Sequence, residues 1–184
     1  GRGRGLGNLT NIALINQKGG VGKTTTAVNI GAGLAQLGHK VLLIDLDPQS
    51  HLTYALGVPA HELEATVYEL LKEEVTLSDV VLERTENLQL IPASLNLSGA
   101  EMALSGVAGR EFLLREALEP LSEPDYVLID CPPSLGLLTV NALTSAREIY
   151  IPVQTEFLAL QGMSSLIQTV EVIQRRLNHD LELT

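Results

Sequence analysis

Residues 16–27 read "NQKGGVGKTTTA", and this glycine-rich stretch decides the fold. A phosphate-binding loop usually has a glycine, four residues of any kind, and then Gly-Lys-Ser/Thr. The tripeptide at 22–24 matches the end of that pattern, but Gln17 stands where the first glycine belongs. A second lysine, Lys18, comes five residues before Lys23. The stretch is therefore either a chance near-match or a different phosphate loop that uses two lysines.

The segments on either side of the loop predict a strand and a helix. Residues 10–16 form a short apolar run that is typical of a buried strand, and 40–47 form a second one. Between them, apolar residues recur at helical spacing from Lys23 to Leu37, and Gly38 is placed to end that helix. Buried strands joined by a helix predict a parallel sheet with helices on both faces.

The rest of the chain continues this alternation. Strands are predicted at 88–94, 125–133, 148–154 and from 181, and helices at 66–74, 76–83, 135–146 and 163–177. A further helical region, 95–118, is interrupted near Gly106 and Gly109. We therefore expect a flexible tail at 1–9 and one α/β domain of the P-loop type at 10–184. Because the sequence stops where a strand begins, the domain is expected to lack its C-terminal elements.

Composition and charge limit the classes of function. The 184 residues are 45% apolar with a mean hydropathy of +0.20, which is typical of a soluble globular protein. The net charge is −10, and 61–123 alone hold 13 acidic and 4 basic side chains. This balance argues against a large basic surface for nucleic acid. The single cysteine, Cys131, excludes an internal disulfide and favours a reducing compartment.

The loop residues have the chemistry that a nucleotide requires. Glycines can adopt positive φ angles and bring backbone N–H groups close to a phosphate. Lys23 can reach the β- and γ-phosphates, and the Thr24 hydroxyl can bind Mg²⁺. Taken alone, the loop leaves two roles open for Lys18, a solvated lysine or one that touches the nucleotide. The residues expected to bind the nucleotide are Lys18, Gly19, Gly20, Val21, Gly22, Lys23, Thr24 and Thr25.

Two predicted strands end in carboxylates. The strand at 40–47 ends with Asp45 and Asp47, which point to the same side, and the strand at 125–133 carries Asp130. A charged group at the end of a buried strand is costly unless it is paired. Mg²⁺ or a lysine of the phosphate loop would provide that partner. We therefore expect Thr24, Asp45 and Asp130 to form the metal site.

Three stretches together resemble a known family. They are "KGGVGKTTTAVNIGAGLAQLGHKVLLIDLDPQS", "YVLIDCPPSLGLLTVNAL" and "IPVQTEFLALQGMSSL". They resemble the ParA/Soj partition ATPases, within the wider ParA/MinD group that has a deviant Walker A loop. In that family the loop is written Lys-Gly-Gly-x-Gly-Lys-Thr, so the resemblance accounts for Gln17. The ending "DLDPQ" is similar to the ParA branch rather than to MinD.

The resemblance implies a role for each lysine of the loop and for each aspartate at the strand ends. Lys18 falls on the signature lysine that reaches the partner subunit's phosphates, and Lys23 falls on the loop lysine. Asp47 falls on the carboxylate that positions or activates the attacking water. Asp45 falls on its neighbour near Mg²⁺, and Asp130 on the Walker B aspartate. The catalytic residues implied are thus Lys18, Lys23 and Asp47, and 132–136 correspond to a switch region that responds to the γ-phosphate.

The resemblance also implies an ATP-driven switch. ATP with Mg²⁺ bridges two subunits, the homodimer binds DNA without sequence preference, and a ParB-type partner stimulates hydrolysis to ADP. It implies a cytoplasmic, nucleoid-associated protein with no membrane partner. Adenine recognition and most of the basic DNA-binding surface are expected beyond residue 184.

Other functions of the same fold compete with this one. A MinD-like or other intracellular positioning ATPase would be favoured by a C-terminal amphipathic helix, which these residues do not show. An ATP-dependent metal-cluster carrier needs bridging cysteines, and the sequence has only Cys131. A small-molecule kinase or synthetase would need a substrate pocket that the sequence does not reveal.

Overall fold

The computed structural model describes residues 10–15, 21–151 and 157–183, except for the side chains of 21–23 and 157–164. The predicted tail at 1–9 and the loop residues Lys18, Gly19 and Gly20 lie outside the described residues. The end of the strand predicted at 148–154 lies outside them as well.

A seven-stranded sheet forms the centre of the described residues. Its strands are β1 (Thr10–Leu14), β2 (Val41–Asp45), β3 (Leu82–Thr85), β4 (Leu88–Ile91), β5 (Tyr126–Asp130), β6 (Glu148–Tyr150) and β7 (Glu182–Leu183). They lie in the order β3-β4-β2-β5-β1-β6-β7. Every neighbouring pair is parallel except β3 and β4. The predicted parallel sheet is therefore confirmed, with an antiparallel strand added at one edge.

The antiparallel strand β3 corrects the sequence prediction at 76–83. A helix begins there as predicted, with Asp79 accepting hydrogen bonds from the N–H and hydroxyl of Thr76. It ends at Val80, and the chain then forms β3. A two-residue turn joins β3 to β4, with Asn87 at a φ of 69°. Such a short connection can only link antiparallel strands, so the turn sets the direction of β3.

Eight α-helices accompany the sheet in the described residues. They are α1 (Val21–Gln36), α2 (His51–Ala55), α3 (Val67–Leu71), α4 (Leu77–Val80), α5 (Ala100–Leu104), α6 (Leu113–Leu118), α7 (Leu137–Ser145) and α8 (Phe157–Arg176). The predicted interruption near Gly106 and Gly109 is confirmed, because it separates α5 from α6. The short helix α2 has no counterpart in the sequence prediction. In the part of the chain that the structure covers, no helix combines the length and apolar character that a membrane crossing requires.

Helices cover both faces of the sheet, as the apolar strands predict. Leu42 and Ile44 of β2 point to the face that α3, α5, α6, α7 and α8 cover. Val41 and Leu43 point to the opposite face, where α1 and α2 pack. All five residues of β2 are buried, because successive side chains of this strand enter two different cores.

Candidate nucleotide-binding site

The carboxyl ends of three adjacent strands meet at one edge of the sheet. In the pairing register, Leu14 of β1 is opposite Asp130 of β5, and Asp130 is opposite Asp45 of β2. The predicted phosphate loop begins just after β1, at the end of this row. The parallel topology therefore brings the end of β1, after which the predicted loop begins, next to the ends of both carboxylate strands.

Thr24 connects the first turn of α1 to β5. Its hydroxyl donates a long hydrogen bond of 3.4 Å to Oδ2 of Asp130. Both side chains are buried, with exposed fractions of 7% for Thr24 and 1% for Asp130. The two residues are 106 positions apart in sequence, so the contact depends on the fold. The structure thus brings together two of the three residues predicted to form the metal site.

Asp45, the third residue, is held by the protein itself. Its Oδ2 accepts hydrogen bonds from the backbone N–H of Thr53 at 3.0 Å and from the Thr53 hydroxyl at 2.7 Å. Its Oδ1 accepts the N–H of Asp47 at 3.1 Å. The side chain is fully buried. Three donors within the chain therefore fix the orientation of this carboxylate, and direct contact between Asp45 and a metal ion stays a prediction.

Burial and a neighbouring charge change the acidity of Asp45. Burial raises the pKa of Asp45 to about 7, and the carboxylate of Asp130 on the adjacent strand adds to the increase. The hydrogen bonds from Thr53 and Asp47 act in the opposite direction, because they stabilise the ionised form. The two aspartates repel each other when both are ionised, and a cation between the strands would relieve that repulsion.

Asp47 lies in a tight turn after β2. Its Oδ1 accepts the N–H of Gln49 at 3.0 Å, and its carbonyl oxygen accepts the N–H of Ser50 at 2.9 Å. Ser50 has a left-handed conformation with a φ of 60°, which reverses the chain into α2. Only 6% of Asp47 is exposed. The turn therefore gives the predicted catalytic carboxylate a defined position near Asp45.

Four more of the predicted residues, Val21, Gly22, Lys23 and Thr25, lie along the start of α1. Val21, Gly22 and Lys23 form its first turn, and their side chains lie outside the described part of the chain. Thr25 is exposed and lines a groove of about 440 Å³ between α1 and α2. On the α2 side, His51 and Tyr54 line the same groove. A helix N-terminus directs its backbone N–H groups and positive dipole end towards an anion.

A residue that was not predicted from the sequence contacts the chain at the end of the predicted switch segment, 132–136. The carboxylate of Glu101, on α5, accepts the N–H of Leu137 at 2.7 Å and so caps the start of α7. Gly136 lies directly beneath that carboxylate, and a Cβ atom there would collide with it. Glu101 therefore links the acidic stretch 61–123 to the end of the segment 132–136.

Neither Thr53 nor Glu101 was predicted from the sequence. Thr53 lies eight positions after Asp45 inside a short helix that was not predicted. Glu101 lies 36 positions before the backbone group that it caps. The signals that a single sequence offers are local patterns and periodicities, and neither contact produces one.

The fold and this site define a nucleotide-binding protein of the P-loop class. A family model described as an AAA domain (AAA_31) matches residues 9–183, which is nearly the whole chain. Over 172 residues the chain is 51% identical to the sporulation initiation inhibitor protein Soj of Bacillus subtilis strain 168, covering 92% of this chain and 68% of that protein. The chain belongs to the Soj/ParA family of partition proteins, as the sequence motifs predicted.

A second relative and a solved structure agree with this assignment. The chromosome partitioning protein ParA of Myxococcus xanthus strain DK1622 is 47% identical over 175 residues, covering 94% of this chain and 62% of that protein. A crystal structure of cobyrinic acid a,c-diamide synthase from Mycobacterium smegmatis, with a bound ATP analogue and magnesium, has a TM-score of 0.91. It is 45% identical and covers 95% of this chain and 72% of that one. The chain spans 55% to 68% of the length of the curated relatives that it matches.

Proposed function

We propose that the chain is the nucleotide-binding part of a partition ATPase, which binds ATP with Mg²⁺ and hydrolyses it to ADP. The observation that carries the proposal is the contact between the Thr24 hydroxyl and the Asp130 carboxylate. These two oxygen groups meet where a helix begins after a glycine-rich loop, which is where P-loop proteins hold a phosphate-bound Mg²⁺. The names Soj and ParA of the relatives support the partition role.

The groups at this position fit Mg²⁺. The ion prefers oxygen ligands and keeps several water molecules, so it is usually bound by one or two protein groups together with phosphate oxygens. Among the described residues, no cluster of three or more His, Cys, Asp or Glu side chains could hold a metal by itself. Thr24 and Asp130 would therefore hold Mg²⁺ together with the nucleotide. When bound, the ion supplies positive charge to the β- and γ-phosphates.

The phosphates would be bound by the loop and the first turn of α1. The backbone N–H groups of Gly19, Gly20, Val21 and Gly22 would surround them, and Thr25 would add a hydrogen bond. Lys23 would place its charge on the β- and γ-phosphates. The Asp47 carboxylate would orient the attacking water, since its turn gives it a fixed position at the same edge of the sheet.

The second lysine of the loop, Lys18, is the reason for proposing that two subunits act together. In the proposal, Lys18 reaches across a homodimer to the partner subunit's phosphates and stabilises the charge that develops during hydrolysis. The dimer binds DNA without sequence preference at the nucleoid, and a ParB-type protein stimulates hydrolysis and separates the subunits. The acidic stretch 61–123 gives no support for DNA binding, so the proposal places the DNA surface mainly outside this chain, which spans 55% to 68% of the length of its curated relatives.

Turnover and dimerisation can be measured together on the full-length protein. ATP hydrolysis would be followed alone, with duplex DNA, and with DNA plus a ParB-type partner, and the dimer would be followed by light scattering. Asp47→Ala should still dimerise with ATP but lose about 99% or more of its turnover. Lys18→Ala should lose the ATP-dependent dimer.

Lys40→Ala removes an exposed lysine away from the loop, and it is the matched control. If Lys18→Ala dimerises and hydrolyses ATP as the wild type does, the trans-acting lysine is wrong. If the wild type binds no ATP, the ATPase proposal itself fails. Equal affinity of residues 1–184 and of a longer protein for duplex DNA would contradict the assignment of the DNA surface.

The Mycobacterium smegmatis structure supports a second candidate, an ATP-dependent amide synthase, because that protein is named as such an enzyme. A groove near the switch segment has a volume of about 780 Å³ and lies between α5, α7 and α8. This candidate predicts that cobyrinic acid together with an ammonia donor stimulates ATP turnover, whereas DNA and a ParB-type protein do not. The names of the curated relatives favour the partition role.

A further inference from the structure

A chain of buried hydrogen bonds connects three elements behind the candidate catalytic turn. The N–H of Ala93, just after β4, donates to the Thr53 hydroxyl at 3.0 Å. That hydroxyl donates to Oδ2 of Asp45 at 2.7 Å, and Oδ1 of Asp45 accepts the N–H of Asp47 at 3.1 Å. Ala93, Thr53 and Asp45 are all fully buried. This series of buried hydrogen bonds therefore connects the end of β4, through Thr53 of α2 and Asp45 of β2, to the backbone of Asp47.

The direction of each hydrogen bond is determined by the groups involved. The N–H of Ala93 can only donate, so the Thr53 oxygen accepts that bond. The single hydroxyl proton of Thr53 is then available for Asp45. Because the backbone N–H of Thr53 also donates to Oδ2 of Asp45, one residue fixes this oxygen through two hydrogen bonds. A valine, which has the same shape but no hydroxyl, would lose one of these bonds and leave the Ala93 N–H without its acceptor.

The orientation of Asp45 determines where the Asp47 backbone lies. One carboxylate oxygen is held by Thr53 and the other by the N–H of Asp47, so rotation of the carboxylate displaces Asp47. Within its own turn, Asp47 is also held by Gln49 and Ser50. Displacements of about 1 Å at a catalytic group can cost a hundredfold in rate. The position of Asp47 therefore depends on the hydrogen bonds that hold the Asp45 carboxylate.

We propose that Thr53 is a positioning residue for ATP hydrolysis, which acts through Asp45 on the carboxylate of Asp47. This inference rests on the proposed function, in which Asp47 orients the attacking water. In the described part of the chain, the N–H and the hydroxyl of Thr53 form their hydrogen bonds with Asp45 and Ala93 rather than with Thr24. Its hydroxyl therefore supports the hydrolysis step and contributes little to nucleotide binding.

The test compares Thr53→Val with Thr53→Ser in the full-length protein. We expect Thr53→Val to lower kcat about tenfold, while KM for ATP and the Kd of a non-hydrolysable ATP analogue change by less than about twofold. The ATP-bound dimer should accumulate, because binding is kept and hydrolysis is slowed. Thr53→Ser keeps the hydroxyl and should recover at least about half of the wild-type kcat.

Thr144→Val is the matched control for the loss of a buried threonine hydroxyl. Thr144 is also buried, and its hydroxyl donates to the Val140 carbonyl within α7, at 2.7 Å. We expect this variant to lower Tm without changing kcat. If Thr53→Val does not fold, the pair Thr53→Ser and Thr53→Ala gives the same comparison, since these two side chains differ only by the hydroxyl.

Several results would overturn the inference. They are an unchanged kcat in Thr53→Val, a fall in kcat matched by an equal loss of analogue binding, and a kcat in Thr53→Ser as low as in Thr53→Ala. If the wild type itself has no ATP turnover, the proposed function fails and the inference fails with it. Wild-type turnover with an unaffected Thr53→Val overturns the inference alone.

Discussion

The ends of β2 and β5 look alike in sequence but differ in structure. Each is an apolar strand that closes with an aspartate, and the pairing register places Asp45 opposite Asp130. Asp45 accepts hydrogen bonds from Thr53 and from the backbone N–H of Asp47, whereas Asp130 accepts the hydroxyl of Thr24, a residue of the proposed phosphate site. Two identical side chains in one row thus have different tasks. The first holds the turn that carries Asp47, and in our proposal the second faces the nucleotide.

The largest expected effect is on the free energy of unfolding of the nucleotide-free protein, which should differ between the two alanine variants. Asp45→Ala would leave three buried donors without an acceptor, and we expect it to lower the free energy of unfolding by about 3 kcal/mol. Asp130→Ala should cost less, about 1 kcal/mol, because the hydrogen bond from Thr24 that it removes is long, at 3.4 Å. Urea denaturation of the nucleotide-free protein measures both values. Equal losses would contradict the division of tasks.

For nucleotide binding, we expect the larger effect at Asp130 rather than at Asp45. Asp130→Asn should weaken Mg²⁺-dependent nucleotide binding by about 10- to 100-fold, because it removes a charged group beside the Thr24 hydroxyl. Asp45→Asn should weaken it by less than about threefold. Nucleotide fluorescence titrations with Mg²⁺ and with a chelator distinguish the two. A larger loss in Asp45→Asn would make Asp45 the metal ligand.

A pH dependence should come from Asp45. Its pKa is about 7 in the folded chain, against an ordinary value of 3.8 for an exposed aspartate, so the folded chain binds this proton more tightly than the unfolded chain does. The free energy of unfolding of the nucleotide-free protein should therefore fall as the pH rises from about 4 to about 7. Above that range the carboxylate is ionised in both states and the decrease is complete. In Asp45→Asn, the decrease in the free energy of unfolding with rising pH should be smaller than in the wild type. Thermal unfolding at a series of pH values measures this decrease, and an equal slope in the variant and the wild type would contradict the prediction.

The smallest expected effect concerns the helix that follows β5. Glu101→Gln removes the negative charge at the N-terminus of α7 and should lower stability by about 0.5 kcal/mol. Glu111→Gln is the matched control, since the Glu111 carboxylate lies 4.0 Å from Arg110 and is not the group that caps α7. A shift in the urea midpoint for Glu101→Gln that equals the shift for Glu111→Gln would show that the cap contributes nothing.

Much of the fold follows from the sequence because its signals are local. The buried strands that carry Asp45 and Asp130 are visible as apolar runs, although they end two and three residues earlier than predicted, and the interruption near Gly106 and Gly109 is visible as a break in periodicity. The edge strand β3 was missed, because its direction depends on a turn at Asn87 rather than on an apolar run.

The candidate site was only partly predictable for a similar reason. Adjacent strand ends and the glycine loop predict that Thr24 and Asp130 converge, and the structure brings them to 3.4 Å. The Thr53 contact depends on the left-handed residue Ser50, which turns the chain into α2 at a particular angle. Residue spacing gives no information on such an angle. The roles of Lys18 and Lys23 stay predictions.

The capping contact at α7 has a consequence for how this sequence can change over time. Gly136 lies directly under the Glu101 carboxylate, so any side chain at 136 would displace the cap. A substitution at either position therefore alters the constraint on the other. We expect the two positions to co-vary among relatives: where the residue at 136 has a side chain, the residue at 101 should no longer be an acid that reaches α7.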